Sequence, residues 1–397
     1  MTTALSPARA AEPAPADDPA GTPGVGGPSL AAARPDPDDL DPRRALREVA
    51  RWQRGDRDAA RFPYRAVLGH YRAVGKNAVG EEVLTALRAV EPAPAQAAEP
   101  AARLLGDWLP QVVDGRQGDY DSYLGSPVYA SLTEAGARTQ EVLTALLADV
   151  VEIESATLAD VPAGLARTRA AVRALTAVAG LPAAYGTAAA PGAADEVADL
   201  VRAAAEAVAA ARDAVPAGVL RAVELTLTPT TRSHDEQMFI RVIQIFEAVF
   251  SAVGRAVQVA TEAVAAGQTD LARGLLEGAT RQVAGTSGVF RVLTTMPKDA
   301  FAVIRANTDG RSAVQSRSYR TVERSCPTLH LTVQRGDLPA DGLRSAMREL
   351  DTAWCAMKRT HWGITVKIIG AVRGTGGTAG AAYLREAAEA RLFPALD

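Results

Sequence analysis

Near the end of the chain the residues "GTGGTAGAAYL", Gly374 to Leu384, place three glycines within four positions. A phosphate-binding Walker loop closes with Gly-Lys-Ser/Thr, whereas here Gly377 is followed by Thr378 and Ala379. A dinucleotide fingerprint fits only at Gly374 and Gly376, has Ala379 where its third glycine stands, and needs a strand before it; the preceding residues read as helix. A helix C-cap asks for a single glycine with positive φ. Glycines this dense suit a backbone that approaches a ligand closely, with Thr375 among them.

The other residues able to do chemistry are few. Of the four histidines, His70, His234, His330 and His361, no two are close enough in sequence to read as a zinc pair. His361 follows Trp354 and Met357 and precedes Ile364 and Ile368, at steps of three, four, three and four. That puts it on the apolar face of a helix, where an imidazole is either a hydrogen-bonded core residue or the single protein ligand a haem iron needs. "HDE" at 234–236 resembles an acid or metal cluster but sits at a helix start, where acids complement the dipole. Arg305, between apolar residues in "DAFAVIRANTDG", reads as a solvated arginine or as a bidentate carboxylate clamp. Tyr120 and Tyr123 in "GDYDSYL" are surface-loop aromatics or pocket lining. No nucleophile set stands out. Cys326 and Cys355 are too few for a disulfide framework or a thiolate metal site.

The elements that must position these residues read as helices. The 397 residues are 48% hydrophobic, rich in Ala and Leu and only 5% aromatic, so the composition leans all-α. A net charge of −3 and the lack of a basic stripe argue against nucleic acid as a partner. No apolar run long enough to cross a bilayer and no secretory leader stand out, so a reduced, cytoplasmic protein is expected. Residues 1–41, full of Pro, Gly and acid, read as a disordered tail. Helical pattern fills 42–115, broken by the linker "EPAPAQAAEP". Residues 116–132 read as loop or single turns, and 133–226 as long Ala/Val/Leu helices interrupted by a linker at 180–195. From 227 to 397 the character changes. Ser233 and Glu236 fit a capping box opening a helix with Phe239, Val242, Ile243, Phe246, Val249, Phe250 and Val253 on one face. Further helices are expected over 268–295, 298–306, 311–325 and 339–370, with "LHLTVQ" as an isolated strand candidate.

Four segments resemble the tryptophan 2,3-dioxygenase family, in the family's order: "GDYDSYLGSPVYASL", "HDEQMFIRVIQIFEAVF", "MPKDAFAVIRANTDGRSAVQSRSYRTVE" and "HWGITVKIIGAVRGTGGTAGAAYLREA". The last is the most specific, with a histidine fourteen residues before the Thr of GTGG and then YLR. The resemblance covers 120–131 and nearly everything from 234 onward. It implies an all-α bundle around haem b, here with an extra helical N-terminal region and a helical insertion at 133–226. It also implies a homo-oligomer, a tetramer built as a dimer of dimers or a dimer. His361 matches the axial ligand of the haem iron, Arg305 the arginine that pairs with the substrate carboxylate, and Thr375, between Gly374 and Gly376, the threonine that holds its ammonium. Phe239 matches an aromatic beside the indole. Tyr120, Tyr123 and Leu124 match pocket residues that in the family reach into a neighbouring subunit. The family's distal histidine falls on Ile243, as the related indoleamine dioxygenases also lack it. An indole N–H facing Ile243 would lose its acceptor, at a cost of about 1–3 kcal/mol, which favours an N-substituted or otherwise altered ring.

The function implied is an oxygenase that uses O2 on tryptophan or a tryptophan derivative, cleaving the indole C2–C3 bond to an N-formylkynurenine-type product. The alternatives are a haem-dependent monooxygenase or peroxygenase on an aromatic amino acid, and a non-catalytic haem- or ligand-binding protein.

Overall fold

The computed structural model describes residues 37–93, 98–114, 120–158, 163–182, 196–307, 316–335, 341–369, 381–394 and 396. Among them are sixteen α-helices and no strand, so the chain is all-α. The first four are α1 (Arg43–Arg54), α2 (Tyr64–Val74), α3 (Glu81–Arg88) and α4 (Pro100–Val113). Next come α5 (Tyr120–Leu124), α6 (Ser126–Glu134), α7 (Thr139–Ala156) and α8 (Gly164–Ala179). Then follow α9 (Glu196–Asp213), α10 (Ala217–Leu225), α11 (His234–Ala265) and α12 (Thr269–Leu293). The last four are α13 (Lys298–Asn307), α14 (Arg317–Arg335), α15 (Asp341–Ile369) and α16 (Ala381–Glu389).

The axis of the fold is α11, 32 residues long, or about 48 Å. Its apolar stripe is wide enough to be covered from several sides, and α7, α12 and α14 pack against it while α15 packs on α12. Among the described residues α11 alone is long and apolar enough to cross a bilayer, a run not recognised from the sequence; 61% of that window is buried inside the protein. Core packing therefore accounts for its hydropathy. The helices of 133–226 share this core: Leu146, Val150, Leu175 and Ala204 belong to the same apolar cluster as Phe246, Val253, Leu276 and Trp354.

Helices α1–α4 make a second cluster around an edge-to-face aromatic group of Trp52, Phe62, Tyr64 and Trp108. Polar bonds bolt it to the segment that leads into α11. Trp108 Nε1 donates to Leu225 O at 2.9 Å, and Arg72 donates to Leu227 O at 3.2 Å and Glu224 O at 2.9 Å. The backbone N–H of Lys76 donates to Pro229 O at 2.8 Å, and its buried ammonium to Gln111 O. Desolvation pulls the Arg72 guanidinium down to about 10.

Three local expectations are corrected. "LHLTVQ" lies within α14, because its alternation is subordinate to a longer helical period: Tyr319, Val322, Cys326, Leu329 and Val333 are all buried, while Leu331 is 48% exposed. Pro327, inside α14, removes one hydrogen bond of the helix, and burial on both sides of it carries the helix through. Residues 120–131, read as loop or single turns, form the short α5, little more than one turn, and the start of the longer α6, joined at Gly125 with φ 71°. A Cβ on Gly125 would lie 2.6 Å from Thr226 Cγ2, so the turn needs glycine both for its φ and for its closeness to the chain entering α11. Finally, Ser233 makes no side-chain cap bond. Glu236 turns away from it to accept from the backbone N–H groups of Thr230 at 2.8 Å and Thr231 at 2.7 Å and from both their hydroxyls.

Candidate functional site

The start of α11 is held by buried charge. Arg167, fully buried on α8, donates to Asp235 at 2.6 Å and to Thr295 Oγ1 at 2.8 Å, and lies 3.5 Å from Glu154. His234 Nε2 stands 3.1 Å from Thr157 Oγ1 and 3.2 Å from Glu154. His234 and Asp235 are thus spent on joining α11 to α7, α8 and the end of α12, Glu236 on Tyr123 and the Thr230–Thr231 turn, and among the described residues no group of His, Cys, Asp and Glu converges as a metal site. A haem iron, needing only one imidazole from the protein, is a separate case.

One turn further on, α11 presents Phe239 and Ile243. They meet Tyr120, Tyr123 and Leu124 of α5 in a small apolar cluster completed by Ile153, Leu227 and Ile240. These five residues were singled out from two stretches more than a hundred positions apart. Within the chain, α5 packs on α11. Arg241 and Gln244, on the opposite side of α11, lock this arrangement. Arg241, fully buried, donates to Asp149 Oδ2 at 2.6 Å, Gln244 Oε1 at 2.7 Å, Val223 O at 2.8 Å and Thr226 Oγ1 at 3.1 Å. Gln244 Nε2 in turn donates to Leu124 O at 2.9 Å and Thr226 O at 3.1 Å. Arg241 and Gln244 thus tie α5 and the 223–226 segment to α11 through five hydrogen bonds, to Leu124 O, Val223 O, Thr226 Oγ1, Thr226 O and, between the two side chains, Gln244 Oε1.

The tyrosine hydroxyls of α5 are also occupied. Tyr123 donates to Glu236 and Tyr120 to Glu247, each at 3.1 Å. Burial first, then the facing carboxylates, hold both phenols well above the ordinary tyrosine range, so they stay protonated donors. Desolvation likewise raises Glu247, against the pull of hydrogen bonds from Ser316, Ser318 and Tyr120.

Arg305 enters from α13. Phe301 lies edge-on to Phe239, with centroids 5.6 Å apart and planes at 72°, and Arg305 is one turn further along the same face, half-buried in the last turn of the helix. His361 enters from α15. Its ring lies 6.4 Å from that of Phe290 on α12, and Phe290 lies 4.6 Å from Phe246, one turn beyond Ile243 on α11. Upstream on α15, Trp354 stacks on Tyr319 at 5.1 Å and meets Phe250 at 5.3 Å, fixing the helix that carries His361. Desolvation alone lowers the His361 imidazole from 6.5 to about 4. It is a neutral ring at neutral pH, and no hydrogen bond to it is seen among the described residues.

Thr375, Gly374 and Gly376 lie outside the described residues. Four contributors escaped the sequence reading: Phe290, Phe301, Glu236 as a partner of Tyr123, and Glu247. Glu247 had a signal, since it is a charge four residues after Ile243 on an apolar helix face. The phenylalanines had none, because apolar residues on amphipathic helices are the ordinary core. The chain matches no known protein-family model and none of the curated proteins.

Proposed function

We propose that this protein is a haem-dependent oxygenase acting on tryptophan or a tryptophan derivative. The observation that carries the reading is the convergence of Tyr120, Tyr123, Leu124, Phe239 and Ile243 in one apolar cluster. Residues picked for an aromatic slot on motif order alone would be scattered if that order meant nothing. Phe301 adds a second ring against Phe239, and Arg305 follows it one turn on along the same helix.

His361 would hold the iron of a haem through a ring nitrogen. Burial keeps its ring neutral, so a nitrogen lone pair is available at neutral pH. When bound, haem b supplies the activation of O2. The chain does the rest. Arg305 binds the carboxylate of the amino-acid substrate as a guanidinium fork; Thr375 is assigned to its ammonium by the motif alone. Phe239 and Phe301 flank the ring, and the α5 wall excludes water and restricts the ring's orientation, which is where such a protein contributes rate. Ile243 offers the ring no acceptor. An indole N–H pointed there is unpaired, so a substituted or altered indole is the better substrate. Oxygen insertion at C2–C3 leaves an N-formylkynurenine-type product.

The test begins with the visible spectrum of the haem-supplemented protein beside His361→Ala. A Soret band in the wild type that is lost or shifted in the variant is expected. Products formed from tryptophan and N-substituted tryptophans under O2 are then weighed by mass, two added oxygens supporting ring cleavage and one oxygen a monooxygenase. Absence of haem binding in the wild type sinks the proposal.

A further inference from the structure

Glu247 stands where an apolar helix face has no need of a carboxylate. It leaves α11 one turn beyond Ile243 on the same side, next to the aromatic cluster. Burying a carboxylate costs free energy unless hydrogen bonds repay it, and three hydroxyls do so. Tyr120 of α5 donates at 3.1 Å, and Ser316 and Ser318, at the turn that opens α14, supply the other two. Ser316 is itself buried and caps α14 by accepting from the Tyr319 N–H at 3.0 Å. One side chain therefore joins three separate segments: the aromatic wall on α5, the central helix, and the first described residues after the helix that carries Arg305.

The comparison with Glu236 sharpens the point. Glu236 also takes a tyrosine of α5, but four of its five donors come from Thr230 and Thr231. It closes a local turn. None of the donors to Glu247 is local; they come from positions 120, 316 and 318. Apolar packing holds α5 near α11 without specifying how the Tyr120 ring is turned, whereas a hydrogen bond at its far end does.

We infer that Glu247 is a positioning residue for the proposed aromatic site, fixing the Tyr120 ring beside Ile243 and tying that wall to the turn that opens α14. The inference rests on the proposed aromatic amino-acid site and adds to it the group that holds one of its walls.

The experiment titrates L-tryptophan by calorimetry into haem-supplemented wild type, Glu247→Ala, Glu247→Gln, Glu247→Met, Tyr120→Phe and the Tyr120→Phe/Glu247→Ala double variant. Amide hydrogen exchange at 120–124 is followed in parallel. Loss of one charge-assisted bond is expected to weaken binding by about tenfold in Glu247→Ala and in Tyr120→Phe. The double variant binds no worse than the weaker single one, because the same bond is lost in both. Glu247→Gln, which still accepts from Tyr120, recovers most of the affinity, whereas Glu247→Met, which fills a similar space without an acceptor, does not. Exchange at 120–124 rises in the Ala variant while α12 stays protected. Wild-type affinity in Glu247→Ala and Tyr120→Phe, or a double variant whose loss is the product of the two, overturns the inference. Failure of the underlying site looks different: the wild type itself then binds neither haem nor tryptophan, and the inference falls with it.

Discussion

Asp149 is the residue whose loss should cost the most while touching no proposed ligand. It lies on α7, is buried, and pairs with the fully buried Arg241 at 2.6 Å. It also faces Arg72, whose guanidinium is already destabilised by burial. Replacing Asp149 by Ala leaves Arg241 with three neutral acceptors and no counter-charge, between Phe239 and Ile243 on the same helix. Stranding one partner of a buried pair costs about 3–5 kcal/mol, a large part of the roughly 5–15 kcal/mol that holds a domain folded. Replacing both partners, Asp149→Leu with Arg241→Met, removes the desolvation cost together with the attraction and should be the milder change by about 2 kcal/mol or more. Urea unfolding of wild type, both single variants and the double variant measures this directly, with unchanged m-values as the check that one transition is being compared. An Asp149→Ala cost below about 1 kcal/mol would show that the pair is solvated in the working protein. A double variant as costly as the two singles added together would refute the view that the charges act as a unit.

Three more outcomes follow. Ile243→His should tighten binding of unmodified tryptophan by restoring an acceptor for the indole N–H, by about tenfold if one bond is gained; spectral titration showing unchanged or weaker binding counts against the apolar distal wall. In the haem-free protein the folded His361 has a lowered pKa, so between 6.5 and about 4 the unfolded chain binds the proton and the folded one does not. Stability is full above 6.5 and falls on acidification by up to about 3 kcal/mol. Urea midpoints of wild type minus His361→Gln should show that slope, and a flat difference would mean a solvated ring. Gly125→Ala meets both a positive φ and Thr226 Cγ2 at 2.6 Å, so it should lose about 1–2 kcal/mol from backbone conformation alone and loosen α5, seen as faster amide exchange at 120–124.

Composition and a period near 3.6 determine the all-α character and most helix positions, because each helix announces itself locally: Phe239 to Val253 and Trp354 to Ile368 are readable stripes. Motif order went further and singled out Tyr120, Tyr123, Leu124, Phe239 and Ile243, which lie together in one apolar cluster. What local pattern could not decide is which stripe meets which. "LHLTVQ" alternates like a strand and is helix, because burial of Val322, Cys326, Leu329 and Val333 outweighs six residues of alternation and a proline. Glu236 fits a capping box and instead takes Tyr123 and the Thr230–Thr231 backbone, since those donors are brought to it by the packing of α5 and the 223–230 segment. Glu247 was legible only as an oddity. Its meaning depends on hydroxyls from positions 120, 316 and 318, and a hydrogen bond between residues so far apart in the chain exists only once the helices have docked. A sequence records the periodicity of burial, which is a property of neighbours along the chain; the partners of a buried charge are a property of neighbours in space, and tertiary packing alone selects them.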